Sequence, residues 1–310
     1  MTTGFHRLRP TAASRAMRAF MMSVCATSAI GLVVSTSLAR AGEVASRWDG
    51  DARSAVRLIA GAPAGKNATP TLRAGIEVRL KQGWHTYWRY PGDAGVPPKF
   101  DFTGSQNVKS VGVLWPAPQP IREEGLIAIG YAADVIWPLT VVPLDHAKPV
   151  TLRLKLDYAV CEKLCVPAQG KAELMLGGAA ASRSPALAEA QARVPRKLAL
   201  GEGAPLAIKS VQIMREDGRK RPGEDDGAAR PRVVVDVAAP AGSAVALFAE
   251  GPTPEWSLPV PAPIDGAPAG LQRFAFELDG APPGAQYKGA PITLTAVAGK
   301  EAIEVTTHLD

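Results

Sequence analysis

Between Val150 and Val160 the side chains alternate with a period of two. Val150, Leu152, Leu154, Leu156, Tyr158 and Val160 fall on one side, and Thr151, Arg153, Lys155 and Asp157 on the other. A helix would scatter this pattern around its axis, whereas a strand gathers it onto one buried and one wet face, so the stretch reads as a half-buried strand. It runs directly into Cys161-Glu162-Lys163-Leu164-Cys165-Val166-Pro167. Apart from Cys25, near the N-terminus, these are the only cysteines.

The same texture recurs along the chain. Leu72, Ala74, Ile76, Val78 and Leu80 alternate with Arg73, Gly75, Glu77 and Arg79. Strands are also expected at Asp51–Ala60, Val108–Trp115, Asp134–Val142 and Lys171–Leu176, with Pro138 placing its strand at a sheet edge or a bulge. Gly83–Asp93 is the densest aromatic cluster, and Ile121–Tyr131 reads as a loop carrying Arg122, Glu123 and Glu124. One helix is expected, Pro185–Leu200, capped by Ser184, opened by Pro185 and kinked or ended by Pro195.

Strands resume at Leu206–Met214, Arg232–Ala238, Ala244–Glu250, Leu271–Leu278, Pro291–Val297 and Glu301–His308, with Arg215–Arg230 as a charged, solvated loop. The 30 glycines and 28 prolines are scattered without a period, as expected of short strands joined by turns. The fold expected is all-β: two immunoglobulin-like β-sandwich domains joined by a short helical connector. The divisions are 1–41 as a signal peptide, 42–178 as the cysteine-bearing sandwich, 179–204 as the helical linker and 205–310 as a smaller second sandwich.

The net charge of +6 sits mostly in the first segment, which carries Arg7, Arg9, Arg15, Arg18 and Arg40 and no acid, leaving about +1 for the rest. No basic patch remains to argue for nucleic acid. The basic start, the apolar run Ala19–Leu38 and Ala39-Arg40-Ala41 have the three parts of a cleavable export signal, with cleavage near Ala41-Gly42. No later stretch reaches the ~20 apolar residues of a membrane span. The mature chain is expected to be exported to a compartment where disulfides form.

Three readings of Cys161 and Cys165 stand side by side. As a structural staple the pair is weak, since closing a loop of about five residues restricts the unfolded chain by only ~2 kcal/mol, against nearly ~5 for a loop of ~100. As a switch it is apt, because neighbouring thiols interconvert readily with a disulfide and one resolves a mixed disulfide formed by the other. As soft-metal ligands the two cysteines would suit Cu(I), with His85 as the third. Gly-x-Ser-x-Gly, Walker and His-Glu-x-x-His motifs are absent.

Gly83-Trp84-His85-Thr86-Tyr87-Trp88-Arg89, Pro91-Gly92-Asp93-Ala94-Gly95, Trp115-Pro116-Ala117-Pro118, Gly130-Tyr131 and Val160-Cys161 through Cys165-Val166-Pro167 together resemble the N-terminal periplasmic domain of the thiol:disulfide interchange protein DsbD family. The branch with the copper-sensitivity suppressor ScsB is the nearest in pattern, and the resemblance covers roughly Trp48 to Leu176. It implies that Cys161 and Cys165 are a redox couple needing no cofactor. The implied partners are thioredoxin-like periplasmic oxidoreductases, among them disulfide isomerases and the thioredoxins of cytochrome c maturation.

It also implies a cap loop near Ile121–Tyr131, with Glu123 and Glu124 as polar members, and His85, Tyr87 and Tyr131 as neighbours of the pair. By the same analogy Cys161 is favoured as the exposed nucleophile. With neither a membrane conduit nor a thioredoxin-like domain in this sequence, electrons are expected from a separate membrane protein. The Cys-x3-Cys spacing is shorter than in the best-known members.

Overall fold

The computed structural model describes residues 44–61, 71–123, 125–177, 184–214, 231–278 and 280–310. The expected export segment 1–41 with its cleavage site, Glu124 and the charged stretch 215–230 lie outside the described residues. No helix among the described residues is long and apolar enough to cross a membrane.

The first eleven strands are β1 (Asp49–Gly50), β2 (Ser54–Ala60), β3 (Leu72–Leu80), β4 (His85–Gly92), β5 (Lys99–Asp101), β6 (Val108–Val113), β7 (Gln119–Glu123), β8 (Leu126–Tyr131), β9 (Val135–Pro143), β10 (Val150–Cys161) and β11 (Cys165–Leu176). They form two sheets, one ordered β1-β2-β3-β9-β6 and the other β11-β10-β4-β8-β7 with β5 beside β10. The alternating faces read from the sequence meet between them. Val56, Leu58, Ile76, Val78 and Trp137 pack against Trp88, Ile129, Leu152, Leu154, Leu156 and Val160. Phe100, Trp115 and Tyr131 surround Trp137 edge-on, with centroids 5.3, 5.7 and 6.0 Å away. Such edge-to-face aromatic contacts add to the hydrophobic gain from burial.

Four expectations need correction. Ile121–Tyr131 is not a loop but most of the β7–β8 hairpin, paired from Gln119↔Gly130 to Glu123↔Leu126. Pro138 sits in an interior strand, because β9 lies between β3 and β6. Its carbonyl accepts from Leu114 N at 2.8 Å just beyond the end of β6. The missing N–H therefore faces Leu114, just past the last residue of β6, where the pairing of the two strands ends. The helix is shorter than expected: α1 spans Pro185–Ala192, with Ser184 Oγ accepting from Leu187 N at 3.2 Å, and ends ahead of Pro195. Its Leu187 lies against β3 at Gly75, where an added Cβ would sit 2.8 Å from the leucine, so that glycine is buried and not on a wet face.

The later strands are β12 (Arg196–Leu198), β13 (Ala207–Met214), β14 (Arg232–Ala238), β15 (Val245–Glu250), β16 (Ala262–Ile264), β17 (Leu271–Glu277), β18 (Pro291–Ala298) and β19 (Glu301–His308). They form sheets ordered β12-β19-β18-β15 and β13-β14-β17-β16 around a second core that includes Val233, Val235, Phe274, Leu294 and Val305. Phe248 of β15 belongs instead to the first core, with Ala246 and Val297 beside it. The outer face of the β12-β19-β18-β15 sheet thus lies against the first sandwich.

Candidate functional site

β10 and β11 are paired from Val150↔Leu176 to Cys161↔Cys165, and Glu162-Lys163-Leu164 makes the turn. The last pair brings the two Cα atoms to 4.2 Å, and the sulfurs are joined as a disulfide. On the other side of β10 the ladder continues to β4 with Cys161 opposite His85 and Val160 opposite Thr86. The alternation that sends Tyr158 and Val160 into the main core sends Ala159 and Cys161 to the opposite face. There they form a small cluster with Tyr87, Ala128 and Ile121.

Tyr87 is the hub of that cluster. Its side chain is wholly buried, and its hydroxyl lies 2.7 Å from Cys161 Sγ and 3.0 Å from Cys165 Sγ. Burial, then the charge of Glu123 and a 3.4 Å hydrogen bond to its Oε1, holds the phenol well above its ordinary pKa. At neutral pH it therefore keeps its proton and serves as a donor. Glu123, at the tip of the β7–β8 hairpin, also meets His85 Nε2 at 2.5 Å. The hairpin thus folds its tip over the sulfurs and is tied down by one carboxylate shared between His85 and Tyr87. Gly95 lies on the Tyr87 ring: at φ +113° a Cβ there would stand 2.3 Å from Tyr87 Cε1. The Pro-Gly-Asp-Ala-Gly motif is therefore the rest of the cover.

The two sulfurs are not equivalent. Cys161 is 2% exposed and Cys165 is exposed, which reverses the expectation that Cys161 is the accessible nucleophile. The reason is topological: Cys161 ends a strand hemmed in by β4, while Cys165 begins an edge strand just after a turn. Leu164, next to Cys165, is 80% exposed, an apolar side chain beside the open sulfur.

Of the residues expected near the pair, Cys161, Cys165, His85, Tyr87 and Glu123 come together. Tyr131 does not: it faces the main core, and its hydroxyl donates to Pro116 O at 2.9 Å. Among the described residues no group of His, Cys, Asp and Glu is arranged to hold a metal, and His85 Nε2 is engaged by Glu123. Gly95 and Ala159 were not singled out for the site. For Ala159 the signal was present, since a period of two puts it on the face of Cys161.

A disulfide thus closes a hairpin at the edge of an immunoglobulin-like sandwich, with a protonated phenol against both sulfurs and a cover over them, an arrangement chemically capable of thiol–disulfide exchange. Residues 55–177 match the family described as "Thiol:disulfide interchange protein DsbD, N-terminal". The crystal structure of the N-terminal periplasmic domain of ScsB from Proteus mirabilis is similar with a TM-score of 0.61 and 19% identity. The match covers 86% of this chain and 98% of that one, so the likeness in fold extends over both sandwiches. A second structure, of the enterotoxigenic E. coli CFA/I adhesin CfaE, aligns at 10% identity with a TM-score of 0.14, too low to carry an argument. No curated protein matches the chain.

A carboxylate hydrogen bond is worth about 1.5–3 kcal/mol, and each 1.4 kcal/mol is a factor of ten. Replacing Glu123 with Gln weakens the tie to His85 and should make reduction of the disulfide by dithiothreitol roughly tenfold faster. Stopped-flow tryptophan fluorescence or timed thiol trapping reads this. An unchanged rate would show that the hairpin tip does not control access.

Proposed function

We propose that this protein carries reducing equivalents in the periplasm by thiol–disulfide exchange through Cys161 and Cys165. The exposure difference between the two sulfurs is the observation that carries the reading. A donor thiolate attacks Cys165 Sγ, the sulfur that is open. The Cys165–Cys161 bond breaks as the donor–Cys165 disulfide forms, and the electron pair leaves on Cys161 as a thiolate. Tyr87 donates a hydrogen bond to that thiolate, the strong charge-assisted kind. The donor's second thiolate then attacks its own sulfur in the mixed disulfide and releases Cys165. In total the donor dithiol becomes a disulfide, this protein becomes a dithiol, and two electrons and two protons have crossed. Delivery to an acceptor is the same sequence reversed, with Cys165 attacking and Cys161 resolving.

The donor in this reading is a separate membrane electron conduit, and the acceptors are thioredoxin-like oxidoreductases that seat against Leu164 beside Cys165. No cofactor enters, since each step is an exchange between sulfurs. The reduction potential of the couple, measured in glutathione or dithiothreitol buffers with thiol trapping, tests the proposal. A value between about −120 and −270 mV is expected of a shuttle, and one well below about −300 mV would mark a permanent structural bond.

A further inference from the structure

Strand β4 has two different ends. At one, His85 and Tyr87 face the sulfurs. At the other, three consecutive residues reach the second sandwich. Trp88 packs on Phe248 at 6.0 Å between centroids, and Arg89 bonds Glu250 through Nε at 2.9 Å and Nη2 at 2.6 Å. Arg89 Nη2 also reaches Glu304 at 2.6 Å, and Tyr90 Oη donates to Leu258 O at 2.6 Å. The Arg89 guanidinium stacks over Trp88 at 4.3 Å. Glu250 and Glu304 are 18% and 11% exposed, so the fork is formed largely out of water, where such pairs are strongly felt.

The first sandwich buries Trp88 in its core but gives this stretch little backbone pairing. Against β8 the ladder runs Thr86↔Tyr131 and Tyr87↔Gly130 and then jumps to Gly92↔Ala128. Against β10 only His85 and Thr86 are paired. Residues 88–91 therefore leave the ladder at the residue after Tyr87; Trp88 is anchored in the first core, and what fixes Arg89 and Tyr90 is the fork and the Tyr90 bond to the second sandwich. Extending the redox reading above, we infer that Arg89 is a positioning residue through which the second sandwich holds the Tyr87 hydroxyl against the sulfurs. The second sandwich is then a brace for the couple. It acts on the stability of the thiolate without touching either cysteine.

The sign follows from the hydrogen bond. A hydroxyl bonds a thiolate more strongly than a disulfide sulfur, so placing Tyr87 well favours the reduced form. Loosening the brace should shift the equilibrium with glutathione toward the disulfide by about fivefold, part of the effect of a charge-assisted bond. The full chain is compared with Arg89→Met, with Glu250→Gln/Glu304→Gln, with Tyr87→Phe and with Arg89→Met/Tyr87→Phe. Arg89→Met and the double glutamate variant should each give the shift, in the direction of Tyr87→Phe, and Arg89→Met should add nothing once Tyr87 is Phe. An unchanged equilibrium in Arg89→Met while Tyr87→Phe shifts it, or shifts that simply add, overturns the inference.

If Arg89→Met fails to fold by circular dichroism, Tyr90→Phe removes a single bond and should give a shift of about twofold; no shift there overturns the inference equally. Variants that show these shifts with glutathione, while the wild-type protein exchanges with no thioredoxin-like protein, refute the shuttle and uphold the brace.

Discussion

Replacing Cys161 with Ser should convert the protein into a trap for its partners, while replacing Cys165 with Ser should leave it almost inert toward them. In Cys161→Ser the remaining thiol is the exposed one, so a partner disulfide can be attacked and the mixed disulfide has no neighbour to resolve it. In Cys165→Ser the remaining thiol is 2% exposed, ends a strand opposite His85 and lies under the Tyr87 hydroxyl. Access governs exchange as much as thiolate content does. The expected difference in trapping yield with a thioredoxin-like protein is at least about tenfold, read on non-reducing gels and by intact mass. Equal trapping by both variants would contradict the assignment of Cys165 as the entry sulfur.

Gly95→Ala should damage both the stability of the site and its cover. The residue sits at φ +113°, a conformation costing a residue with a Cβ about 1–3 kcal/mol. The methyl would also press on the flat of the Tyr87 ring at 2.3–2.8 Å, and that ring is wholly buried with nowhere to retreat. Either the Pro91–Gly95 turn lifts away or Tyr87 is pushed off the sulfurs. We expect a loss of about 2–4 kcal/mol in stability from strain and overpacking together. Faster reduction by dithiothreitol should accompany it because the cover is raised. Urea unfolding combined with the reduction rate checks both, and a loss under about 0.5 kcal/mol with an unchanged rate would mean the turn adapts freely.

The parts of this molecule that the sequence shows well are those whose burial is one-sided. β3, β10 and β19 were each legible within a residue of their observed ends, because one face meets a core and polar side chains mark much of the other. β8 was illegible for the opposite reason: from Ala128 to Tyr131 it is buried on both faces, so no alternation survives. Pro138 misled because the edge rule assumes that a missing N–H faces a partner, and here that partner strand has just ended. Within the site, the cysteine pair, His85, Tyr87 and Glu123 could be named from their motifs. Which sulfur is shielded could not, since the shield is built from β4 and a hairpin tip distant in sequence. Arg89 was visible only as one more member of an aromatic cluster; its partners lie 161 and 215 residues further along the chain.

The register of β10 with β11 sets how much the molecule must rearrange when its charge state changes. The cross-link joins the final pair of a ladder that is already in place back to Val150, across a turn of three residues. Opening that bond releases almost no chain, because the backbone bonds beneath it hold the same two strands side by side. On the proposed redox reading, oxidised and reduced forms should therefore differ by a few side-chain torsions at one corner. A carrier of this kind can be charged and discharged repeatedly with little motion of the rest of the domain and little exposure of its core.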